Sequence, residues 1–233
     1  MCDDCSRSGL ARRTFITLGA AGAAAFGLGG AARAASPLSP DQALAELKSG
    51  NARYVAHPEL CAIDVANQRS AVAAGQAPWA TILGCADSRL PPELIFGGRG
   101  LGELFVARNA GNLVDTSALG TLEYGAAVLG SPLIVVLAHT SCGAVKAACD
   151  VVAKNATFPG AIGPMIEPII PAALAVRDLP GDFVNNAARE SAKRTSQRLT
   201  AASTLITGLT DAGKLKVVAA IYDLQTGVVA YLD

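Results

Sequence analysis

Five short apolar runs, separated by segments of helical periodicity, constrain this chain more than any other feature. They occupy residues 79–84, 103–108, 133–138, 215–222 and 228–232. Runs of this length, rich in β-branched residues and bounded by Gly, Pro or polar clusters, read as buried strands. The segments between them carry helix signals. Ser39 supplies an N-cap, Pro40 the first helical position and Gln42 the third residue of a capping box, which predicts a helix over 40–55. A second helix is predicted over 65–74, ending at Gly75, and a third over 116–129, capped by Asp115 and closed by Gly130. Further helical patterns cover 144–154, 165–176 and 182–209. The last of these places Arg189, Lys193, Arg194 and Arg198 on a polar, solvated face. Residues 223–227 separate the two final runs as a hairpin turn would. The alternation predicts an α/β domain: a mainly parallel four-stranded sheet, extended by an antiparallel strand and flanked by helices.

Composition narrows the partners. The 233 residues include 51% hydrophobic and 16% charged side chains, enough apolar material for one domain with a full core. Lys and Arg number 19, as do Asp and Glu, so the formal net charge is zero. A dedicated nucleic-acid binder needs a basic footprint that this chain lacks, and a small-molecule partner is expected instead. The mean hydropathy of +0.37 comes largely from Ala and Gly, and only the N-terminus has an uncharged stretch long enough to raise the question of a membrane.

That stretch reads as an address. Arg12 and Arg13 precede Thr14, Phe15 and Ile16, and lead into the uncharged, Gly-rich and Ala-rich run 14–32. Ala32-Arg33-Ala34 offers a small-x-small cleavage site. The pattern resembles a twin-arginine (Tat) signal, which carries folded proteins across a bacterial inner membrane; Ala11 and Thr17 stand where that pattern usually has Ser or Thr and often Lys. Residues 1–34 are therefore expected to be a signal peptide and 35–233 a single α/β domain. The Tat translocon would be the export partner and the periplasm or exterior the destination, with an uncleaved membrane anchor as the alternative. Cys2 and Cys5 precede the twin arginine and would leave with the signal; Cys61, Cys85, Cys142 and Cys149 remain, and an oxidising compartment would permit disulfides among them. Whether Cys61 and Cys149 pair stays open.

In open parallel sheets ligands gather beyond the carboxyl ends of the strands. Two predicted ends carry metal-binding side chains: run 79–84 leads into Cys85-Ala86-Asp87-Ser88-Arg89, and run 133–138 into His139-Thr140-Ser141-Cys142-Gly143. Two thiolates and one imidazole suit zinc, and three protein ligands leave the open position that a catalytic zinc needs. His139 and Cys142 sit at i and i+3 where a strand turns into a helix, and Cys85 approaches from a neighbouring strand. Singly, each is as easily an inert core thiol or a satisfied core histidine. Jointly, with Asp87 and Arg89 two and four residues after Cys85, they form a pattern.

That pattern resembles the signature of the β-class carbonic anhydrases, Cys-x-Asp-x-Arg followed downstream by His-x-x-Cys, here CADSR and HTSCG. The resemblance extends through Gln76, Phe105-Val106-Ala107-Arg108-Asn109, Gly111-Asn112-Leu113-Val114 and Glu123-Tyr124 to the terminal hairpin. It implies a zinc-dependent, reversible hydration of carbon dioxide to bicarbonate and a proton. Cys85, His139 and Cys142 would hold one zinc per chain, and Asp87 and Arg89 would form the catalytic dyad that orients the attacking hydroxide. Asp87 has two implied states, held by Arg89 or released to become a fourth zinc ligand. Gln76 would orient substrate, in many members from the partner subunit. Phe105 and Tyr124 would line an apolar substrate pocket, and the Gly143 backbone N–H would contact bicarbonate. Ile82 stands where bicarbonate-regulated members often carry Trp. A homodimer or higher homo-oligomer is implied. The rivals are a same-fold hydrolase of carbon disulfide or carbonyl sulfide, a non-catalytic zinc-binding protein, and a thiol oxidoreductase using Cys85 and Cys142.

Overall fold

Residues 36–61 and 68–232 are described by a computed structural model. The signal-peptide reading of 1–34, including Cys2 and Cys5, lies outside the described residues, as do the first residues of the helix expected over 65–74. The strands are β1 (Ala80–Cys85), β2 (Leu104–Asn109), β3 (Leu133–His139), β4 (Lys216–Tyr222) and β5 (Val229–Leu232). They form one five-stranded sheet in the order β2-β1-β3-β4-β5. The first three pairings in that order are parallel, and β4 with β5 is antiparallel, the arrangement the sequence predicts. Every residue of β1 and β3 is buried. Central parallel strands have both faces covered, which is why these two read as unbroken apolar runs and not as alternating ones.

The helices are α1 (Pro40–Ala56), α2 (Gln68–Val72), α3 (Pro92–Ile95), α4 (Thr116–Glu123), α5 (Gly143–Lys154), α6 (Ile162–Ile166), α7 (Ile170–Val176), α8 (Phe183–Ala202) and α9 (Thr204–Asp211). The capping box at α1 is present in both directions, between Ser39 and Gln42. Asp115 caps α4 by accepting the Ala118 N–H at 2.7 Å.

Three helical expectations are corrected. The segment 116–129 is α-helical only to Glu123 and continues as a π turn over Tyr124–Val128. A Cβ on Gly125 would come within 2.9 Å of both Phe105 and Thr81, so this residue sits hard against β1 and β2. The wider turn, with Leu129 N–H donating to Tyr124 O, accommodates that approach. The segment 165–176 is not one helix: α6, a 3-10 turn over Glu167–Ile169 and α7 succeed one another. Pro168 and Pro171 remove the backbone donors that a continuous helix requires. The segment 182–209 breaks at Ser203, whose backbone is extended and whose hydroxyl accepts the Ile206 N–H at 3.1 Å to start α9. The same hydroxyl donates to Glu123 Oε1 at 2.5 Å, so tertiary contact reinforces the break.

Two residues of α1 fasten it to the rest. Asn51, 6% exposed, donates to Ile95 O at 3.0 Å and to Gly227 O at 2.9 Å, and accepts the Val229 N–H at 2.9 Å. Gly50 permits the approach, because a Cβ there would lie 2.0 Å from Phe96 O and 2.6 Å from Arg99 Nη2. The facing Gly97 has a φ of +92° that favours glycine. Gly50→Ala is therefore expected to destabilise the fold by about 2–3 kcal/mol through overpacking against backbone that cannot yield. Thermal and denaturant melts of the variant check this, and a midpoint within error of the parent would refute it.

Candidate metal centre

β1 and β3 pair in parallel from Thr81 with Ile134 to Gly84 with Leu137, so both strands end on the same edge of the sheet. Cys85 closes β1 and His139 closes β3. After His139 the chain turns through Thr140 and Ser141, and Cys142 becomes the N-cap of α5. The ligand atoms of Cys85, His139 and Cys142 lie within 4.8 Å of one another, and all three residues are buried.

The donor set fits zinc on three observations. The two sulfurs are 3.9 Å apart, close to the roughly 3.8 Å that tetrahedral geometry imposes on two Zn–S bonds of about 2.3 Å. His139 Nδ1 donates to Thr140 O at 2.9 Å, which fixes the tautomer and leaves the Nε2 lone pair facing the sulfurs. Among the described residues the buried Nε2 has no hydrogen-bond partner, a condition that proteins avoid unless the atom has another ligand. The contact between the two sulfurs holds the Cys85 thiol well below the ordinary range and Cys142 well above it. The Gly111 N–H also donates to Cys85 Sγ at 3.4 Å.

Asp87 and Arg89 stand beside this cluster. Arg89 Nε donates to Asp87 Oδ1 at 2.9 Å and Nη2 to Oδ2 at 2.7 Å, a bidentate pair, and the Arg89 backbone N–H adds a third bond to Oδ1 at 2.9 Å. The guanidinium holds the Asp87 carboxyl well below the usual carboxylate range, so it stays ionised. Its Oδ2 lies 3.8 Å from His139 Nε2. Of the two states left open by the sequence, this structure has Asp87 on Arg89. Gly143, the first residue of α5, faces open space, since a Cβ there would meet nothing within 4 Å.

Gln76, Phe105 and Tyr124 are not brought to the metal ligands of their own chain. Gln76 precedes β1, at the amino edge of the sheet, where with Val72 and Glu103 it lines a cleft. Phe105 pairs with Thr81, four residues before Cys85, a separation of roughly 13 Å along the strand. Tyr124 accompanies Phe105, with ring centroids 6.1 Å apart.

Sequence reasoning assigned no role to Arg108, although it names that residue. The Arg108 side chain donates from Nε to Cys85 O at 2.9 Å and from Nη2 to Asp87 O at 2.6 Å, clamping the loop that carries Cys85 and Asp87. A charged side chain at the end of an otherwise apolar strand is the signal that could have found it. Among the described residues Cys61 and Cys149 are both free thiols, and Cys149 is pushed up to about 11 by burial.

Comparison with known proteins agrees with this geometry. A family model described as "Carbonic anhydrase" matches residues 80–229. "Carbonic anhydrase 2" of Mycobacterium tuberculosis is 39% identical over 190 residues, 81% of this chain and 91% of that protein. Among solved structures, the β-carbonic anhydrase of Coccomyxa is 30% identical, covers 72% of this chain and 77% of its own, and superposes with a TM-score of 0.64. One of two tetrameric β-carbonic anhydrases from Sordaria macrospora is 25% identical over 72% of this chain and 87% of its own, with a TM-score of 0.65. A matched region that spans β1 to β4, a 39% identical relative covering 81% of the chain, and paired thiols with an imidazole at the carboxyl edge of the sheet assign this chain to the β-class carbonic anhydrase family.

Proposed function

We propose that this protein hydrates carbon dioxide reversibly at a zinc held by Cys85, His139 and Cys142, one ion per chain. The observation that carries the reading is the cluster of those three buried ligand atoms beside an Asp87 carboxylate already locked to Arg89. Zinc in this donor set supplies Lewis-acid activation of water, and because two thiolates offset its charge, that activation strengthens above neutral pH. Asp87, kept ionised by Arg89, can only accept a hydrogen bond. It therefore takes the O–H of the attacking water and turns the oxygen lone pair toward carbon dioxide. The Gly143 N–H, unsatisfied within α5 and at the positive end of its dipole, faces space in which a bicarbonate oxygen can be received. Asp87 paired with Arg89 is not available to bind a metal at Cys85, His139 and Cys142, so an ion held there would keep a position open to water, which favours catalysis over zinc storage.

The expected result in stopped-flow assays is hydration that rises from pH 6.5 to 9 with one zinc per chain. Cys85→Ser should abolish both zinc and activity, and Asp87→Ala should lower kcat/KM by about 100-fold or more with zinc retained. Stoichiometric zinc without hydration at any of these pH values would defeat the proposal.

Gln76, Phe105 and Tyr124 complete the site of a second copy in this reading, so the working form is a homodimer or a multiple of it. The support is their place at the amino end of the sheet, on and beside β2, an edge strand whose Phe105, Val106 and Ala107 are only half-buried. The described tetramers of Sordaria macrospora are consistent with it. Mixing inactive Cys85→Ser with impaired Gln76→Ala under subunit exchange should restore activity, because each mixed dimer regains one site with every group present. No recovery in demonstrably mixed dimers would sink the shared-site reading.

Residues 1–34 are proposed to be a twin-arginine signal, with 35–233 working beyond the cytoplasmic membrane. The support is the Arg12-Arg13 pair, the weakly apolar run after it and the cleavage site at 32–34. Among the described residues no helix is long and apolar enough to cross a membrane. Export after folding would carry the two thiols across with zinc already bound. Replacing Arg12-Arg13 by Lys-Lys should retain the protein in the cytoplasm, as fractionation would report, whereas unchanged export would count against the signal.

A further inference from the structure

The link between β3 and α5 carries two metal ligands within four residues, so its backbone sets how far apart they stand. Ser141 in that link has a φ of +55°, a left-handed conformation that a non-glycine residue keeps only where its surroundings impose it. Sheet structure holds the residue before it. The Thr140 N–H donates to Tyr222 O at 2.9 Å, and Thr140 Oγ1 accepts the Leu224 N–H at 3.0 Å. Thr140 O is thereby fixed where it receives His139 Nδ1–H.

Ser141 itself is held by a side chain from elsewhere in the sequence. Its N–H donates to Asn185 Oδ1 at 2.9 Å, across a sequence separation of 44 residues. Asn185 lies in the first turn of α8, where the N-cap Asp182 accepts its backbone N–H at 2.7 Å. That helix packs against β3, β4 and α5, so the acceptor is presented from a rigid element. The buried face of α8 is made by Ala187, Ala188, Ser191, Ala192, Thr195 and Leu199, and Asn185 is outside it. Its bond to Ser141 is therefore separable from the packing of its helix.

We propose that Asn185 is a positioning residue of the metal centre. By holding the Ser141 N–H it keeps the left-handed turn that sets Cys142 Sγ against Cys85 Sγ and beside His139 Nε2. The inference rests on the reading of Cys85, His139 and Cys142 as zinc ligands, and it assigns a distant side chain to the accuracy of that ligand set. Outer groups that orient ligands change metal affinity by about 10–100-fold when removed.

The test measures the zinc dissociation constant of the full chain by competition with a chromophoric chelator, alongside melts of the metal-free forms. Asn185→Ser, too short to reach Ser141, should weaken zinc binding about tenfold or more. Asn185→Asp retains an acceptor and should stay within about threefold of the parent. Adding Ser141→Gly to Asn185→Ser should recover most of the affinity, because glycine adopts the left-handed backbone without help. Equal affinity of Asn185→Ser and parent would overturn the proposal. So would equal losses in the Ser and Asp variants, absence of recovery with Ser141→Gly, or failure of Asn185→Ser to fold, each of which assigns Asn185 to general stability. A parent chain that takes up no zinc defeats the ligand reading itself, a separate result from parent and variant binding equally well.

Discussion

Thr81 to Gly84 pair with Ile134 to Leu137 in parallel, and because the two strands run the same way each delivers its terminal residue to one edge of the sheet. That pairing is why a thiol at position 85 meets an imidazole at position 139. An antiparallel neighbour would carry its own last residue to the opposite edge. The burial of both strands on both faces makes the register hard to shift, since a slip would expose apolar side chains and strand backbone polar groups. Everything at the site inherits its place from this contact: the Cys85–Arg89 loop leaves one strand and the His139–Cys142 link leaves the other.

Electrostatics then decides what can occupy the edge. Two thiols and an imidazole, all buried, are poorly served by one another: the sulfurs stand 3.9 Å apart, and Nε2 of His139 has no hydrogen-bond partner among the described residues. A soft divalent cation satisfies all three at once. Around it the positive charge of the protein is used at a short remove: Arg89 holds the Asp87 carboxylate, and Arg108 holds the carbonyls of Cys85 and Asp87. The carboxylate is therefore fixed and ionised without being drawn onto the metal. An acceptor that cannot move or protonate is what orientation of a water nucleophile requires.

In the proposed function, substrate recognition is divided differently from metal binding. Cys85, His139 and Cys142 come from the carboxyl edge, while Gln76, Phe105 and Tyr124, proposed to face substrate, belong to the amino half of the same sheet. One chain cannot fold its own strands back through the length of β1 to unite them. A partner copy removes the difficulty, which makes assembly part of the proposed chemistry and gives the half-buried edge strand β2 a purpose.

Much of this was legible in the sequence because the decisive signals are local. The strand runs, the caps at Ser39 and Asp115, the final hairpin and the clustered CADSR and HTSCG segments depend on neighbours within a few residues, and they survive folding almost unchanged. The misread helices share a cause: periodicity over 116–129, 165–176 and 182–209 records an apolar face but not the π turn at Tyr124, the two prolines or the Ser203 bond to Glu123 that interrupt it. Asn185 escaped because it acts by a hydrogen bond to backbone 44 residues away, and backbone partners leave no mark in a sequence; Arg108 left only the mark of a charge ending an apolar strand, not the carbonyls it holds. The sequence alone thus pointed to Cys85, His139 and Cys142 with Asp87 and Arg89 beside them, and to the order of strands and helices, because those are properties of residue type and short-range pattern. Only the tertiary structure decided that Asp87 rests on Arg89, that Asn185 holds the ligand link, and that Gln76, Phe105 and Tyr124 stand far from their own metal ligands, because those depend on strand register and on contacts between distant segments.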